Sequence, residues 1–168
     1  YENCNGGDTS IGMVDVSGGV SEKFDLTTPE MQEALAQGSF FKELMRYNNL
    51  GYLIGCANSV QDEEGLDSDG SGSQGIRWNH AYGLERIEEL KDVNLKLLRI
   101  RNPWGSGAGN EWTGRFADED EAWDEYKNLR ERLNYSFKND GNWWMQWEEW
   151  KSNYNRVYVC KLFPSSWS

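Results

Sequence analysis

His80 is the only histidine in a chain of 168 residues. It lies in "IRWNHAYGLERIEEL" (76–90), and a second polar residue, Asn102, ends the run "LKLLRIRN" (95–102). Both runs carry the alternation and β-rich composition of strands, and the intervening "KDVN" reads as a hairpin turn. His80 and Asn102 are roughly equidistant from that turn. Antiparallel pairing then sets them opposite each other, about 5 Å apart. An Asn amide oxygen facing one imidazole nitrogen fixes the tautomer and orientation of the ring and leaves the other nitrogen to act as a base. That is the supporting half of a Cys-His-Asn triad. Trp104, two residues further on, could shield the His–Asn bond from water. A His and an Asn facing each other across a hairpin can also be a satisfied polar pair with no chemistry.

The elements that must position these residues are mixed. "TTPEMQEALAQGSFFKELMRYNNLGY" predicts a helix capped by Thr28, with Pro29 in its first turn and a possible break at Gly38. "GYLIGCA" (51–57) reads as a short buried strand, "DEDEAWDEYKNLRERL" (118–133) as a helix, and "NRVYVCKLF" (155–163) as a final strand. Residues 1–19 look irregular, and the Gly/Ser-rich 58–75 reads as a solvated, mobile loop. Its "DSDGSG" imitates the start of an EF-hand but has Trp78 where the bidentate Glu is needed. Helices and strands mix without a βαβ rhythm. The expected class is therefore α+β, an antiparallel β core (two small sheets) flanked by helices, in one domain over 1–168.

Composition excludes several functions. The net charge of −11 disfavours nucleic acid and anionic membranes as partners and permits cations. No run is long and apolar enough to be a membrane segment. The three cysteines, Cys4, Cys56 and Cys160, are odd in number and far apart, which suggests neither a disulfide framework nor a zinc site. A reducing, cytoplasmic setting follows as the expectation.

"NHAYGLE", "IRNPWG", "EWTGRF" and "DGNWWMQWEEW", in that order, resemble the calpain family of calcium-dependent cysteine proteases. The likeness runs from Tyr1 to about Pro164 and is to the second half of the protease core. The resemblance implies a papain-like core with its cleft between two halves. His80 and Asn102 match the triad His and Asn, and Trp104 matches the cleft tryptophan. The nucleophilic Cys is implied to lie in an N-terminal, Cys-bearing subdomain outside this chain, since none of the three cysteines here occupies its motif. The isolated chain is therefore expected to be inactive on protein substrates. The resemblance also implies a Ca2+ site built from Glu111, Asp118, the backbone carbonyl of Lys138, Asp140 and the side chain of Asn142. Such a set suits a hard cation that takes six to eight oxygens. Asn142 stands where the family has an acid, which removes one charge, and Asn79 stands where it has Gly before its His, which could crowd a substrate. Two other functions compete: a catalytically dead calpain-like module for calcium sensing or partner binding, and an aromatic-rich module that binds peptides or sugars.

Overall fold

The computed structural model describes residues 7–60, 74–105, 111–135 and 137–163. Cys4 and the "DSDGSG" stretch lie outside them. The chain is an α+β fold around a single six-stranded antiparallel sheet, ordered β1-β6-β2-β3-β4-β5. The strands are β1 (Val20–Asp25), β2 (Leu53–Ala57), β3 (Ala81–Leu90), β4 (Leu95–Arg101), β5 (Asn142–Gln146) and β6 (Arg156–Lys161). The helices are α1 (Thr9–Ser17), α2 (Pro29–Gln37), α3 (Ser39–Asn49), α4 (Leu129–Leu133) and α5 (Trp147–Asn153). One sheet replaces the expected two because β6 pairs with both β1 and β2, joining the first and last parts of the chain. Among the described residues no helix is long and apolar enough to cross a membrane.

Local chemistry accounts for most boundaries. Thr28 caps α2, Pro29 opens it, and Gly38 at φ +71° ends it and starts α3. The β3–β4 hairpin turns at 91–94 as expected, with Asn94 left-handed at φ +51°. The helix expected over 118–133 is instead a 3₁₀ turn (Glu121–Asp124) followed by the short α4. Asn128, left-handed at φ +59°, separates the two, and no intact helix can pass through that conformation. The start of the chain is less irregular than expected. Asp8 caps α1 by accepting the Ser10 N–H at 2.8 Å, and Gly18 terminates the helix.

Both faces of the sheet are buried at β4 and β5. Leu98, Ile100, Trp143 and Met145 join a core with α2, α3 and α5, while Leu95, Leu97 and Trp144 pack beneath Phe116, Trp123 and α4. This double burial is where the tryptophans go, since large rings fill the space between a sheet and short helices. Trp150 is wholly buried and stacks on Trp147 at 5.0 Å and 13°. Trp150→Ala is expected to lower unfolding free energy by about 3–5 kcal/mol. The same change at Trp78, which is 44% exposed, is expected to cost about 0.5 kcal/mol or less. Denaturant titration of both variants checks the contrast, and equal losses would contradict the assigned core.

Candidate active site

Among the described residues the buried polar or charged side chains are His80, Asn102 and Asn142. The fold brings the first two together. His80 Nε2 lies 2.9 Å from Asn102 Oδ1. The Trp104 backbone N–H also donates to Asn102 Oδ1, at 3.0 Å. A backbone N–H can only donate, so the Asn102 atom facing it must be the oxygen. That oxygen needs a hydrogen from His80, so Nε2 carries a proton, and in the neutral ring the lone pair falls on Nδ1. The sequence argument from equal spacing reached this pair by an inexact route. The ladder has Gly83 opposite Arg101 and a bulge between Leu84 and Arg86. One further step would set Asn102 opposite Tyr82, so His80 reaches it diagonally.

The imidazole is enclosed by rings. Tyr82 meets it edge-on at 4.8 Å and 84°, and the Trp104 ring lies 4.4 Å away at 54°. Trp104 covers the histidine yet remains 47% exposed itself. Asn79 does not point its side chain at this centre. It is left-handed at φ +53°, a conformation Gly or Asn adopts readily, and its Oδ1 accepts the Val60 N–H at 2.8 Å. The side chain is thus drawn back onto the 58–60 segment.

A single residue, Gly141, links the dyad to the acidic loops. The Asn102 N–H donates to the Gly141 carbonyl at 2.7 Å, and the Gly141 N–H donates to Glu111 Oε1 at 2.5 Å. Gly141 has φ +85°, and a Cβ there would come within 2.8 Å of Gly105 Cα and 3.0 Å of the Asn102 carbonyl oxygen. Only glycine fits. The "DG" pair was visible in the sequence, but its contact with Asn102 was not.

The residues expected around a cation converge in part. Asp140 Oδ1 accepts the Asn142 backbone N–H at 3.0 Å and Asn142 Nδ2 at 2.8 Å. Asp118 accepts from the Tyr135 hydroxyl and from the Lys138 backbone N–H. Burial, followed by repulsion from Asp118 and Asp140, raises the Glu111 pKa above the usual carboxylate value. Burial, followed by repulsion from Asp140 and Glu119, does the same for Asp118. Even so, among the described residues no three acid, imidazole or thiol side chains are gathered tightly enough to hold a metal ion. One observation does fit a cation: Asn142 Oδ1 is buried with no hydrogen-bond partner among the described residues. A buried carbonyl oxygen on a residue that also bonds Asp140 is the kind of donor calcium takes.

The two cysteines among the described residues are both buried. Cys56 is wholly buried, and burial pushes its thiol pKa up to about 12. Cys160 is buried with its Sγ 3.3 Å from Ser17 Oγ.

The signature described as "Calpain family cysteine protease" matches residues 1–161. The chain belongs to the calpain family. It is 31% identical over 98% of its length to the calpain-type cysteine protease ADL1 of Oryza sativa subsp. japonica, covering 7% of that protein. It is 33% identical over 99% of its length to the human calpain-2 catalytic subunit, covering 22% of it. With mouse calpain-5 it shares 28% identity over 99% of its length, covering 27%. The chain thus spans well under a third of these calpains.

The raised pKa values of Glu111 and Asp118 set a pH dependence. For an acid whose folded pKa exceeds its unfolded one, the folded chain takes up the proton first as pH falls. Stability from these two groups therefore rises as pH drops through the range just above ordinary carboxylate values, and their ionised forms oppose folding at neutral pH. In metal-free buffer Glu111→Gln is expected to raise the melting temperature at pH 7, with the gain shrinking as pH falls through that range. Thermal melts across pH check this, and a lowered midpoint at pH 7 would contradict it.

Proposed function

We propose that this chain is the His- and Asn-bearing half of a calcium-dependent cysteine endopeptidase. The observation that carries the reading is the double use of Asn102 Oδ1, which accepts from both Trp104 N–H and His80 Nε2 and leaves His80 Nδ1 as the basic atom. In this reading the nucleophilic cysteine comes from an N-terminal subdomain facing His80. Nδ1 takes the thiol proton, and the thiolate attacks the scissile carbonyl of a protein substrate. The Nδ1–H then protonates the departing amine, and Nδ1 next activates the water that hydrolyses the thioester. Asn102 stays bonded to Nε2–H throughout and stabilises the imidazolium. Trp104 keeps water off that bond.

Glu111, Asp118, Asp140 and the Asn142 side-chain oxygen would hold a calcium ion. Bound there, calcium supplies positive charge that offsets the mutual repulsion of the three carboxylates. Glu111 and Asp140 flank Gly141, so ordering these acids acts on the Gly141 peptide and through it on Asn102. Among the described residues Cys56 and Cys160 are free thiols, which suits a reducing cytoplasm.

Two measurements test the reading. In the full-length protein, His80→Ala is expected to lower kcat by about 10²–10⁴-fold, and the chain alone is expected to cleave nothing. Turnover by the isolated chain that Cys56→Ser abolishes would contradict it. Millimolar calcium should raise the melting temperature of the wild-type chain and shift Asp140→Ala less. A calcium shift without turnover by the full-length protein would instead support a catalytically silent sensing module.

A further inference from the structure

The two rings that bracket His80 are held very differently. Tyr82 is 2% exposed and packs edge-on against Trp143 at 5.6 Å and Tyr154 at 5.7 Å, so the core fixes it. Trp104 is half in solvent, on a turn rather than a strand. Its backbone is tied by the bond to Asn102, but a backbone bond does not choose the side-chain rotamer. Beyond His80, the described partner of its ring is Arg77, whose guanidinium carbon stands 4.9 Å from the ring centroid.

The backbone of Arg77 is tied to the fixed ring, and its side chain is half-buried beside it. Its backbone N–H donates to the Tyr82 hydroxyl at 2.8 Å. The contacts close a circuit: Tyr82 against His80, His80 against Trp104, Trp104 against Arg77, and Arg77 back to Tyr82. Guanidinium is suited to this position. It is planar and weakly hydrated, so it can lie on an indole without giving up its charge, and an arginine cannot be deprotonated at working pH.

We propose that Arg77 is a positioning residue of the peptidase centre: with its backbone tied to Tyr82, its half-buried guanidinium packs on the exposed Trp104 ring and holds it over the His80–Asn102 bond. The inference rests on the reading of His80 and Asn102 as a catalytic pair. Loss of the guanidinium frees the indole to swing away, water reaches the bond, and the imidazole loses its fixed orientation. Arg77 touches no reacting atom in this account, so its effect belongs to turnover rather than to substrate binding.

The test combines kinetics with a resonance that reports on one residue. Because His80 is the only histidine, histidine-labelled chain gives a single set of imidazole signals. Trp104→Leu defines the displacement of those signals when the ring current of the indole is gone. Arg77→Gln is expected to produce at least half of that displacement, and Arg77→Lys, which keeps a cation, much less. In full-length protein Arg77→Gln is expected to lower kcat by about three- to tenfold with KM within about twofold, and Arg77→Lys to recover most of the loss. Unchanged imidazole signals in Arg77→Gln would overturn the proposal. So would a lower melting temperature without movement of the signals, or a change in KM confined to acidic peptides, which would make Arg77 a substrate contact. If the wild-type full-length protein shows no peptidase activity, the catalytic reading fails, and the imidazole signals still decide whether Arg77 holds Trp104.

Discussion

The site depends on one buried acceptor, the side-chain oxygen of Asn102. It has no access to water, and an amide oxygen left unpaired in such a place costs about 1–3 kcal/mol. The fold satisfies it twice, with the Trp104 N–H from the following turn and with Nε2 of His80 just before β3. One partner is a donor by covalent structure, and this settles the state of the other. A residue whose tautomer is otherwise free becomes a ring with a defined basic edge. The geometry of β3, β4 and the "NPWG" turn is what brings these three groups together.

Much of this was legible in the sequence. The hairpin, its turn, Gly38 as a helix break, Thr28 as a cap and the β6 run all follow from short-range chemistry, and the fold keeps them. The His80–Asn102 pairing was also legible, but the spacing argument missed the bulge near Glu85, because bulges carry no reliable residue signature when they occur outside glycine. The single sheet was not legible, because strand partners distant in sequence are chosen by packing rather than by local pattern. The helix expected over 118–133 failed at Asn128. There the charge pattern favours a helix, but the burial of Trp123, Leu129 and Leu133 against β4 and β5 takes precedence. Arg77 and Tyr82 gave no signal at all, since their roles come from contacts between side chains that no spacing rule predicts.

The acidic loops and the dyad share a backbone. Gly141 gives its N–H to Glu111 and its carbonyl to Asn102, and its left-handed φ and its contact with Gly105 exclude any larger residue. Burial first, and then repulsion among Glu111, Asp118 and Asp140, raises the pKa values of Glu111 and Asp118, so their charged forms are unfavourable without a compensating cation. Whatever relieves that repulsion acts on a loop one peptide from the residue that orients His80. Asn142, bonded to Asp140, adds a neutral buried oxygen beside it, a chemically suitable donor for a hard cation.

The central claim is that Asn102 fixes His80 with its proton on Nε2 and its basic lone pair on Nδ1. Nitrogen chemical shifts of the single histidine, measured at a pH where the imidazole is neutral, read the tautomer directly. The account predicts a dominant Nε2–H form in the wild-type chain that gives way to a mixture in Asn102→Ala. A dominant Nδ1–H form, or a tautomer ratio that Asn102→Ala leaves unchanged, would contradict it.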